Sequence, residues 1–439
     1  MKRLLALVLV LLAGCSRGAT PQPQPQAPVP APAWPEPVKT PVVVHEGGHV
    51  TVPGIKGWTV VATPDGSHVA FHTGDGIWRV SRDGSNLQQL VVGDMARVLV
   101  GLSDERVLYL EPVEGGARVA EARPGQAPRT VATVPVKQPE YVSGVHLWHH
   151  LQGDRLTLAG DDLPARQVNL TTGEVTVVDP EKYSIRWGMF VVAPDGQYLA
   201  YKRANRGEGL RILDLSAGTV AHTPGGNYAG YDWAPRGPQW AALAAPLGSG
   251  LPRLEGEEVV VGGTYVDLGG PDGQVRHLEP PVPLVFTKGP WWSPDGSRLA
   301  LESEGSQKAV WVVEVATGRW QKLFEWTGNR WLAGWDRGSR HALVGEPGKQ
   351  VRIPLDGGEI EAAPILYGEM QLRDGTWVYR PYDVTARDSV WIWRPGEAQG
   401  HELLGGTGTY DILMPLGMSS FAVVANQADG YKLIIIDVR

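Results

Sequence analysis

A ten-residue motif recurs along this chain and restricts the folds that the chain can adopt. Its three clearest copies read ATPDGSHVAF (62–71), VAPDGQYLAY (192–201) and WSPDGSRLAL (292–301). In each copy, a Pro-Asp-Gly turn precedes a strand with alternating apolar residues. Weaker copies bring the total to nine units. Their mean spacing of about 44 residues is the period of a four-stranded propeller blade.

Each unit also contains a second hairpin after the motif. The stretches RILDLSAGTVAHT (211–223) and WVVEVATGRWQKL (311–323) each read as two strands joined by a glycine turn. A unit therefore supplies four strands, named A to D in chain order. The ninth unit supplies only A, B and C, while the lone strand HVTVP (49–53) precedes the first unit. We therefore predict an all-β fold: a β-propeller of eight or nine four-stranded blades, with nine units counted and the ring closed by the N-terminal strand.

The composition agrees with a fold rich in turns and excludes several classes of protein. The 439 residues include 56 Gly and 36 Pro, and the hydrophobic fraction of 42% suffices for a large core. The net charge of −7 provides no basic footprint for nucleic acid. A single cysteine excludes both an internal disulfide and a four-cysteine zinc site.

That cysteine, Cys15, ends a segment with the features of an export signal. A positive start (residues 2–3), an apolar run (4–12) and two small residues (13–14) precede it. The order Leu-Ala-Gly-Cys at 12–15 resembles the lipobox of bacterial lipoproteins. This resemblance implies cleavage before Cys15 and attachment of a diacylglyceryl group to its sulfur. We expect residues 1–14 to be a signal peptide. We also expect acylated Cys15 to anchor the protein outside the cytoplasm, on a bacterial cell membrane or outer membrane.

Residues 15–43 are predicted to form a tether between this anchor and the repeats. Nine prolines lie between positions 21 and 41. Proline favours an extended polyproline II chain that rises about 3.1 Å per residue. We therefore expect the tether to hold a propeller domain, residues 44–439, away from the membrane.

The anchor motif resembles the repeats of TolB-like propellers, which read roughly W-S-P-D-G-x-x-I-A-F. The resemblance covers most of residues 45–439 and is strong in three units. It implies the propeller fold but no particular reaction, because this fold hosts binding proteins, hydrolases and scaffolds alike.

Two histidine-containing stretches could suggest a metal site. His45-Glu46-Gly47-Gly48-His49 matches the H-E-x-x-H zinc motif, but its β-branched flanks favour strands and its Gly pair suits a two-residue hairpin turn. In HLWHH (146–150), His146 and His150 share one face of a strand and His149 points away. We favour exposed or hydrogen-bonded histidines there over metal ligands. We assign no catalytic residue, no metal and no cofactor.

Repeated and clustered residues are interpreted structurally. Asp65, Asp195 and Asp295 recur at equivalent turn positions, so we expect them to form turns rather than take part in catalysis. Ten of the 17 Trp lie between 291 and 393, and Trp311, Trp391 and Trp393 are within apolar strands. We favour packing between blades over glycan stacking for these side chains.

The most variable connections are the candidate binding surface. The longest are 244–263 and 380–389, both B–C loops, and 134–144, a D–A loop. All three should lie on one face of a propeller, and long loops on a rigid scaffold are where binding tends to occur. The candidate binding residues in these loops are Lys137, Tyr141, Arg253, Glu255, Glu257, Glu258, Tyr382, Asp383 and Arg387.

Together these features favour a monomeric binding or scaffold module for a protein partner in the cell envelope, rather than an enzyme. Two alternatives remain open at this stage. One is a propeller that binds glycans or the cell wall through Trp and Tyr. The other is a propeller hydrolase or lyase, which would need clustered, non-repeated acids or histidines at the channel mouth.

Overall fold

The computed structural model describes most of the repeat region and little of the N-terminal segment. The described residues are 43–44, 50–73, 75–93, 97–102, 105–136, 147–160, 163–180, 190–202, 209–246, 262–304, 308–326, 330–336, 338–346, 349–363, 367–371, 377–380, 389–394, 400–405, 409–415, 420–427 and 430–437. All of them belong to the compact unit Pro37–Arg439. Cys15 lies outside them. Over these ranges the chain forms strands, and they contain no helix of the length and apolarity needed to cross a membrane.

The strands form nine four-stranded blades, numbered I to IX in chain order, which confirms the predicted all-β propeller. Strand β1 (Val43–Val44) precedes the strands of the first blade. The first three blades contain β2 (Val50–Ala62), β3 (His68–Thr73), β4 (Gly76–Ser81), β5 (Gln88–Val92), β6 (Arg97–Gly101), β7 (Val107–Val113), β8 (Gly116–Ala122), β9 (Arg129–Pro135), β10 (Leu147–Gln152), β11 (Arg155–Gly160), β12 (Leu163–Asn169) and β13 (Val175–Asp179).

Blades IV to IX complete the ring. Blades IV to VI contain β14 (Val191–Val192), β15 (Tyr198–Lys202), β16 (Leu210–Asp214), β17 (Thr219–His222), β18 (Asn227–Trp233), β19 (Trp240–Ala245), β20 (Tyr265–Gly269), β21 (Val275–Leu278), β22 (Val285–Trp292), β23 (Arg298–Glu304), β24 (Ala309–Glu314) and β25 (Trp320–Glu325). Blades VII to IX contain β26 (Trp331–Trp335), β27 (His341–Glu346), β28 (Lys349–Pro354), β29 (Glu361–Ala363), β30 (Tyr367–Gln371), β31 (Trp377–Arg380), β32 (Val390–Trp393), β33 (His401–Leu404), β34 (Thr409–Pro415), β35 (Ser420–Gln427) and β36 (Gly430–Asp437).

The ring has two distinct ends because all strand pairs within a blade are antiparallel. Strands A and C of a blade run in one direction, and strands B and D run in the other. The B–C and D–A connections therefore meet at one end of the ring, which we name the loop end. The A–B and C–D connections meet at the opposite end, the turn end. The A strands of neighbouring blades contact one another, so strand A is innermost in each blade.

Strand β2 closes the ring as predicted, because it belongs to two blades. Its first half is the D strand of blade IX, where Val50 pairs with Ile435 of β36. Its second half is the A strand of blade I, where Val60 pairs with Phe71 of β3. Without β2, strand β36 would be the unpaired edge of a three-stranded last blade, so β2 both completes blade IX and joins it to blade I.

A short strand, β1, adds a fifth strand to blade IX. Val44 of β1 pairs with Val50 of β2, so the two strands form the hairpin expected around the H-E-x-x-H match. The predicted two-residue turn at Gly47-Gly48 falls between these strands and stays a prediction. The motif residues themselves lie outside the described part of the chain.

The Pro-Asp-Gly turns confirm the structural role predicted for their aspartates. The Oδ1 atom of Asp65 accepts hydrogen bonds from the Thr63 hydroxyl (2.6 Å) and from the backbone N–H (3.1 Å) and hydroxyl (2.8 Å) of Ser67. These bonds, led by that of Thr63, lower the pKa of Asp65 to about 2. The next residue, Gly66, has φ of 68°, a conformation that costs glycine little. Asp295 repeats this arrangement at the start of blade VI.

Tryptophans at the position before the turn link neighbouring blades. In blades V, VI and VII, the last residue of strand A is a Trp whose indole N–H donates to a backbone carbonyl in the A strand of the preceding blade. The three bonds run from Trp233 to Val191 (2.7 Å), from Trp292 to Asp232 (3.3 Å) and from Trp335 to Trp291 (2.9 Å). The predicted packing role also holds for Trp311, which is 6% exposed.

Candidate functional site

The strand order places the three predicted loops at one end of the ring. The described strands show that 134–144 lies at the D–A connection between blades II and III. The other two, 244–263 and 380–389, lie at the B–C connections of blades V and VIII. All three connections therefore leave from the loop end.

None of the nine candidate binding residues is among the described residues, so their side chains remain predictions. They are Lys137, Tyr141, Arg253, Glu255, Glu257, Glu258, Tyr382, Asp383 and Arg387. The structure defines only the strands from which their loops depart.

The longest of these loops is fastened to the next blade near its C-terminal end. Gly263 forms two backbone hydrogen bonds with Phe286, the second residue of the A strand in blade VI, at 2.9 and 2.8 Å. A Cβ atom at Gly263 would lie 2.7 Å from the backbone nitrogen of Ala244, which is too close for a side chain. At the start of the same loop, the Asn227 side chain donates to the carbonyl of Pro246 (3.2 Å). The start of the loop is thus held to strand A of blade V, and its C-terminal end is held to strand A of blade VI.

A further long connection at the loop end was missed by the sequence analysis. Strand β13 ends at Asp179 and the next A strand begins at Val191, which leaves eleven residues, 180–190, between blades III and IV. The connection between β9 and β10, 136–146, has the same length. In the sequence, this segment follows the hairpin 166–178, and no further turn motif marks where it begins. Only its end is marked, by the copy of the motif at 192–201.

A buried acidic residue lies beneath this missed connection. Asp179 ends β13 with a fully buried side chain, and it forms an ion pair with Arg211 of blade IV at 2.7 Å. The hydroxyl of Tyr201, also in blade IV, donates to the same carboxylate. Because a buried carboxylate is costly without partners, this network fixes blade III against blade IV just below the loop end.

A second acidic residue is buried within blade V. Asp267 accepts a hydrogen bond from the Tyr228 hydroxyl at 3.0 Å, and its Oδ1 lies 2.5 Å from Nδ1 of His277. Burial raises the pKa of Asp267, although the bond to His277 opposes the shift. The imidazole of His277 is 61% exposed, so a solvent-accessible ring is held in place by an inaccessible carboxylate. This carboxylate–imidazole pair can orient a proton at the surface of blade V.

A third acidic residue joins blades VI and VII. The Oε2 atom of Glu302 accepts the backbone N–H of Leu332 at 2.7 Å, and Lys288 lies 3.4 Å from both carboxylate oxygens. The side chain of Glu302 is 1% exposed, and burial raises its pKa.

Asp179, Asp267 and Glu302 were all missed by the sequence analysis. The signal that could have found them is an acid inside an otherwise apolar strand.

The histidines of blade III confirm the hydrogen-bonded interpretation where they are described. Nε2 of His149 lies 2.7 Å from the carbonyl oxygen of Leu99 in blade II. Burial, with a smaller contribution from Arg97, lowers the pKa of His149 to about 4, so the ring is neutral at pH 7. His146 lies outside the described residues. Within the described ranges, no three His, Cys, Asp or Glu side chains are placed to hold a metal ion.

These features define the chain as a nine-bladed β-propeller. It is similar to an oligogalacturonate lyase from Vibrio parahaemolyticus, with 14% identity and a TM-score of 0.42 over 65% of this chain and 87% of that chain. A putative TolB from Agrobacterium tumefaciens is 16% identical, with a TM-score of 0.35 over 60% of this chain and 95% of that one. Porphyromonas gingivalis dipeptidyl peptidase 4 is 10% identical, with a TM-score of 0.47 over 84% of this chain and 57% of that one. At these identities the likeness concerns the fold alone. No protein-family model and no curated protein sequence matches the chain.

Proposed function

We propose that this protein is a lipid-anchored binding module that presents its loop end to a protein partner outside the cytoplasm of a bacterium. Acylated Cys15 is the proposed anchor, and the proline-rich segment 15–43 is the proposed spacer. The binding residues are those of the three long loops, with Arg253 and Arg387 as the cations chosen for testing.

One observation carries the proposal: the two ends of the ring differ. At the turn end, the described connections are tight turns of similar form in successive blades. At the loop end, connections of up to 19 residues lie beside connections of two residues, such as 114–115. In a repeat protein, repeated features maintain the fold, and departures from the repeat are where a specific partner can be recognised.

The buried networks support this role because they make the loop end a rigid base. The carboxylates of Asp179 and Glu302 each connect two blades directly below it, and the Gly263–Phe286 pairing fixes the longest loop. A rigid base lowers the entropy lost when loops bind a partner.

Site-specific photocrosslinking in intact cells tests the proposal. A photoreactive residue is introduced in turn at position 253, at position 387 and at position 236 of the turn end. Arg236 is exposed and is the matched control. We expect adducts with one discrete protein at 253 and 387 but not at 236. Arg253→Glu and Arg387→Glu should reduce recovery of that partner without changing the melting temperature.

The anchor is tested separately. Cys15→Ser should move the protein from the membrane fraction to the soluble fraction. Equal crosslinking at all three positions, or partner recovery unchanged by both charge reversals, would contradict the binding proposal whatever the anchor result. Adducts that consist of cell-wall glycan would favour the glycan alternative instead.

A further inference from the structure

An exposed histidine in blade V is held by a buried carboxylate. Nδ1 of His277 lies 2.5 Å from Oδ1 of Asp267, and the imidazole is 61% exposed while the carboxylate is 2% exposed. The carboxylate accepts the hydrogen of Nδ1, so the other ring nitrogen, Nε2, keeps its lone pair. Nε2 has no hydrogen-bond partner among the described residues. The pair therefore presents a nitrogen nucleophile to solvent.

A buried tyrosine fixes the carboxylate from its other side. The hydroxyl of Tyr228 donates to Oδ2 of Asp267 at 3.0 Å, so each carboxylate oxygen has one partner. The order Tyr228, Asp267, His277 runs from the interior of blade V to its surface. A carboxylate that is itself hydrogen-bonded orients an imidazole and fixes which ring nitrogen carries the hydrogen.

A structural role explains the other buried acids better than it explains Asp267. Asp179 and Glu302 each join two blades, whereas both partners of Asp267 belong to blade V. The backbones of Asp267 and His277 are already paired within the sheet. The bond between their side chains is therefore not needed to fasten a neighbouring blade or to set the strand register.

The strand position of Asp267 is a departure from the repeat. Asp267 pairs with Ala242 in the middle of strand B. The equivalent pairs of the other blades place these residues at the same position: Trp78, Ala120, Arg166, Arg211, Trp311, Val351, Trp391 and Ile434. Among the described strands of the nine blades, only that of blade V has an acid there. Departures from a repeat indicate a local function rather than maintenance of the fold.

A second carboxylate–imidazole pair has a structural explanation and serves as a comparison. In blade VII, Nδ1 of His341 lies 2.8 Å from Oδ2 of Asp336. Oδ1 of Asp336 also accepts the backbone N–H groups of Arg340 and His341, so this acid caps the turn between strands A and B. The imidazole of His341 is only 20% exposed. Asp267 lies within a strand and has no such turn to cap.

Two further residues determine which substrates suit the exposed imidazole. Tyr265 packs edge-on against His277, with ring centroids 5.5 Å apart. Burial, followed by the charges of Asp267 and Glu279, raises the pKa of Tyr265, so Glu279 also lies close to this cluster. These carboxylates repel anions and do not stabilise an oxyanion. A substrate that reacts here must therefore be uncharged and must itself carry a good leaving group.

We propose that His277 is a nucleophilic catalytic residue that hydrolyses uncharged, activated acyl compounds such as aryl esters and thioesters. Nε2 attacks the acyl carbon, and the bond from this carbon to the leaving oxygen or sulfur breaks, which releases a phenolate or thiolate. Asp267 stabilises the positive charge that the ring gains. Water then attacks the acyl carbon and the carbon–nitrogen bond breaks. The products are the carboxylic acid, neutral His277 and one proton, which neutralises the leaving group.

Hydrolysis of 4-nitrophenyl acetate by the full-length protein in nonionic detergent tests the proposal. Absorbance measures the release of 4-nitrophenolate. We expect release to be faster than with the same concentration of N-acetylhistidine, because the imidazole of the protein is oriented and has a carboxylate beside it. Mass spectrometry of acid-quenched samples should find an acetyl group on the peptide that contains His277.

Two matched variants show whether His277 is responsible. His277→Gln changes an exposed side chain, so the protein should fold, and we expect the rate to fall by at least about tenfold. His341→Gln removes an imidazole that is also paired with a carboxylate and should leave the rate unchanged. A rate for the wild type no higher than that of N-acetylhistidine would overturn the proposal. An unchanged rate in His277→Gln, or an equal loss in both variants, would overturn it as well.

Asp267 is a positioning residue, because it acts through His277. Asp267→Asn should lower the rate and move the pH of half-maximal rate downwards, since a neutral amide no longer favours the positively charged ring. Loss of folded protein would instead lower the rate equally at every pH, and that result would contradict the role given to Asp267. None of these measurements depends on the anchor or on a partner at the loop end, so the test is independent of the proposed function.

Discussion

The hydrogen bonds between A strands allow a direct measurement of how strongly neighbouring blades are joined. Trp233 and Trp240 both belong to blade V and are 3% and 0% exposed. The indole N–H of Trp233 donates to Val191 of blade IV at 2.7 Å. The indole N–H of Trp240 is buried and has no hydrogen-bond partner among the described residues. Replacing each with Phe therefore separates the hydrogen bond from the packing of the ring.

The expected magnitudes follow from the two environments. Either substitution removes part of a buried ring and should lower the free energy of unfolding by about 1–2 kcal/mol. Trp233→Phe also leaves the carbonyl of Val191 without its donor, at a further cost of about 1–2 kcal/mol. Trp240→Phe removes an unpartnered N–H, which offsets some of its packing loss. We therefore expect Trp233→Phe to be the more destabilising variant by at least about 1 kcal/mol.

Denaturation in guanidinium chloride, followed by circular dichroism, measures this difference. The midpoint should fall further for Trp233→Phe while the slope stays equal in both variants, because the surface exposed on unfolding is unchanged. Equal midpoints for the two variants would refute the reasoning and show that the indole bond adds nothing to packing. A lower midpoint for Trp240→Phe would refute it more strongly.

Two further predictions concern acids whose pKa values shift in opposite directions. The pKa of Asp65 is lowered to about 2, so its stabilising bonds are present above pH 3.8, its usual value, and are lost as pH falls towards 2. Asp65→Asn should flatten the fall in melting temperature below pH 4, and an unchanged profile would contradict this. Burial raises the pKa of Asp232 to about 6, so the wild type should lose stability as pH rises from 4 through 6. Asp232→Asn should remove that loss in thermal melts at pH 5 and pH 8, whereas a parallel decline in both proteins would exclude Asp232 as its source.

The sequence was informative where local chemistry alone determines the structure. A Pro-Asp-Gly turn needs only its own residues, so the turn at Asp65 and its copies could be predicted without knowledge of the rest of the fold. The role of β2 in closing the ring could also be predicted. The last unit lacks a D strand, and the lone strand before the first unit can supply it.

Features that depend on partners far along the chain could not be predicted in the same way. Asp267 reads as one acid in an apolar strand, and only the fold brings Tyr228 from a distant strand to meet it. The ion pairs of Glu121 likewise depend on strand register, because Arg106 precedes β7 and Arg129 begins β9, while Glu121 lies in β8. The candidate loop residues lie beyond the described strands, so their arrangement remains a prediction.

The dual membership of β2 has a consequence for the order of folding. The chain emerges from the ribosome with β2 early and β36 last, yet Val50 and Ile435 are hydrogen-bonding neighbours. The D position of blade IX therefore cannot be filled until the whole repeat region has been synthesised. Contacts of such long sequence separation form slowly. Closure of the ring by the pairing of β2 with β36 is therefore expected to be the final step of folding.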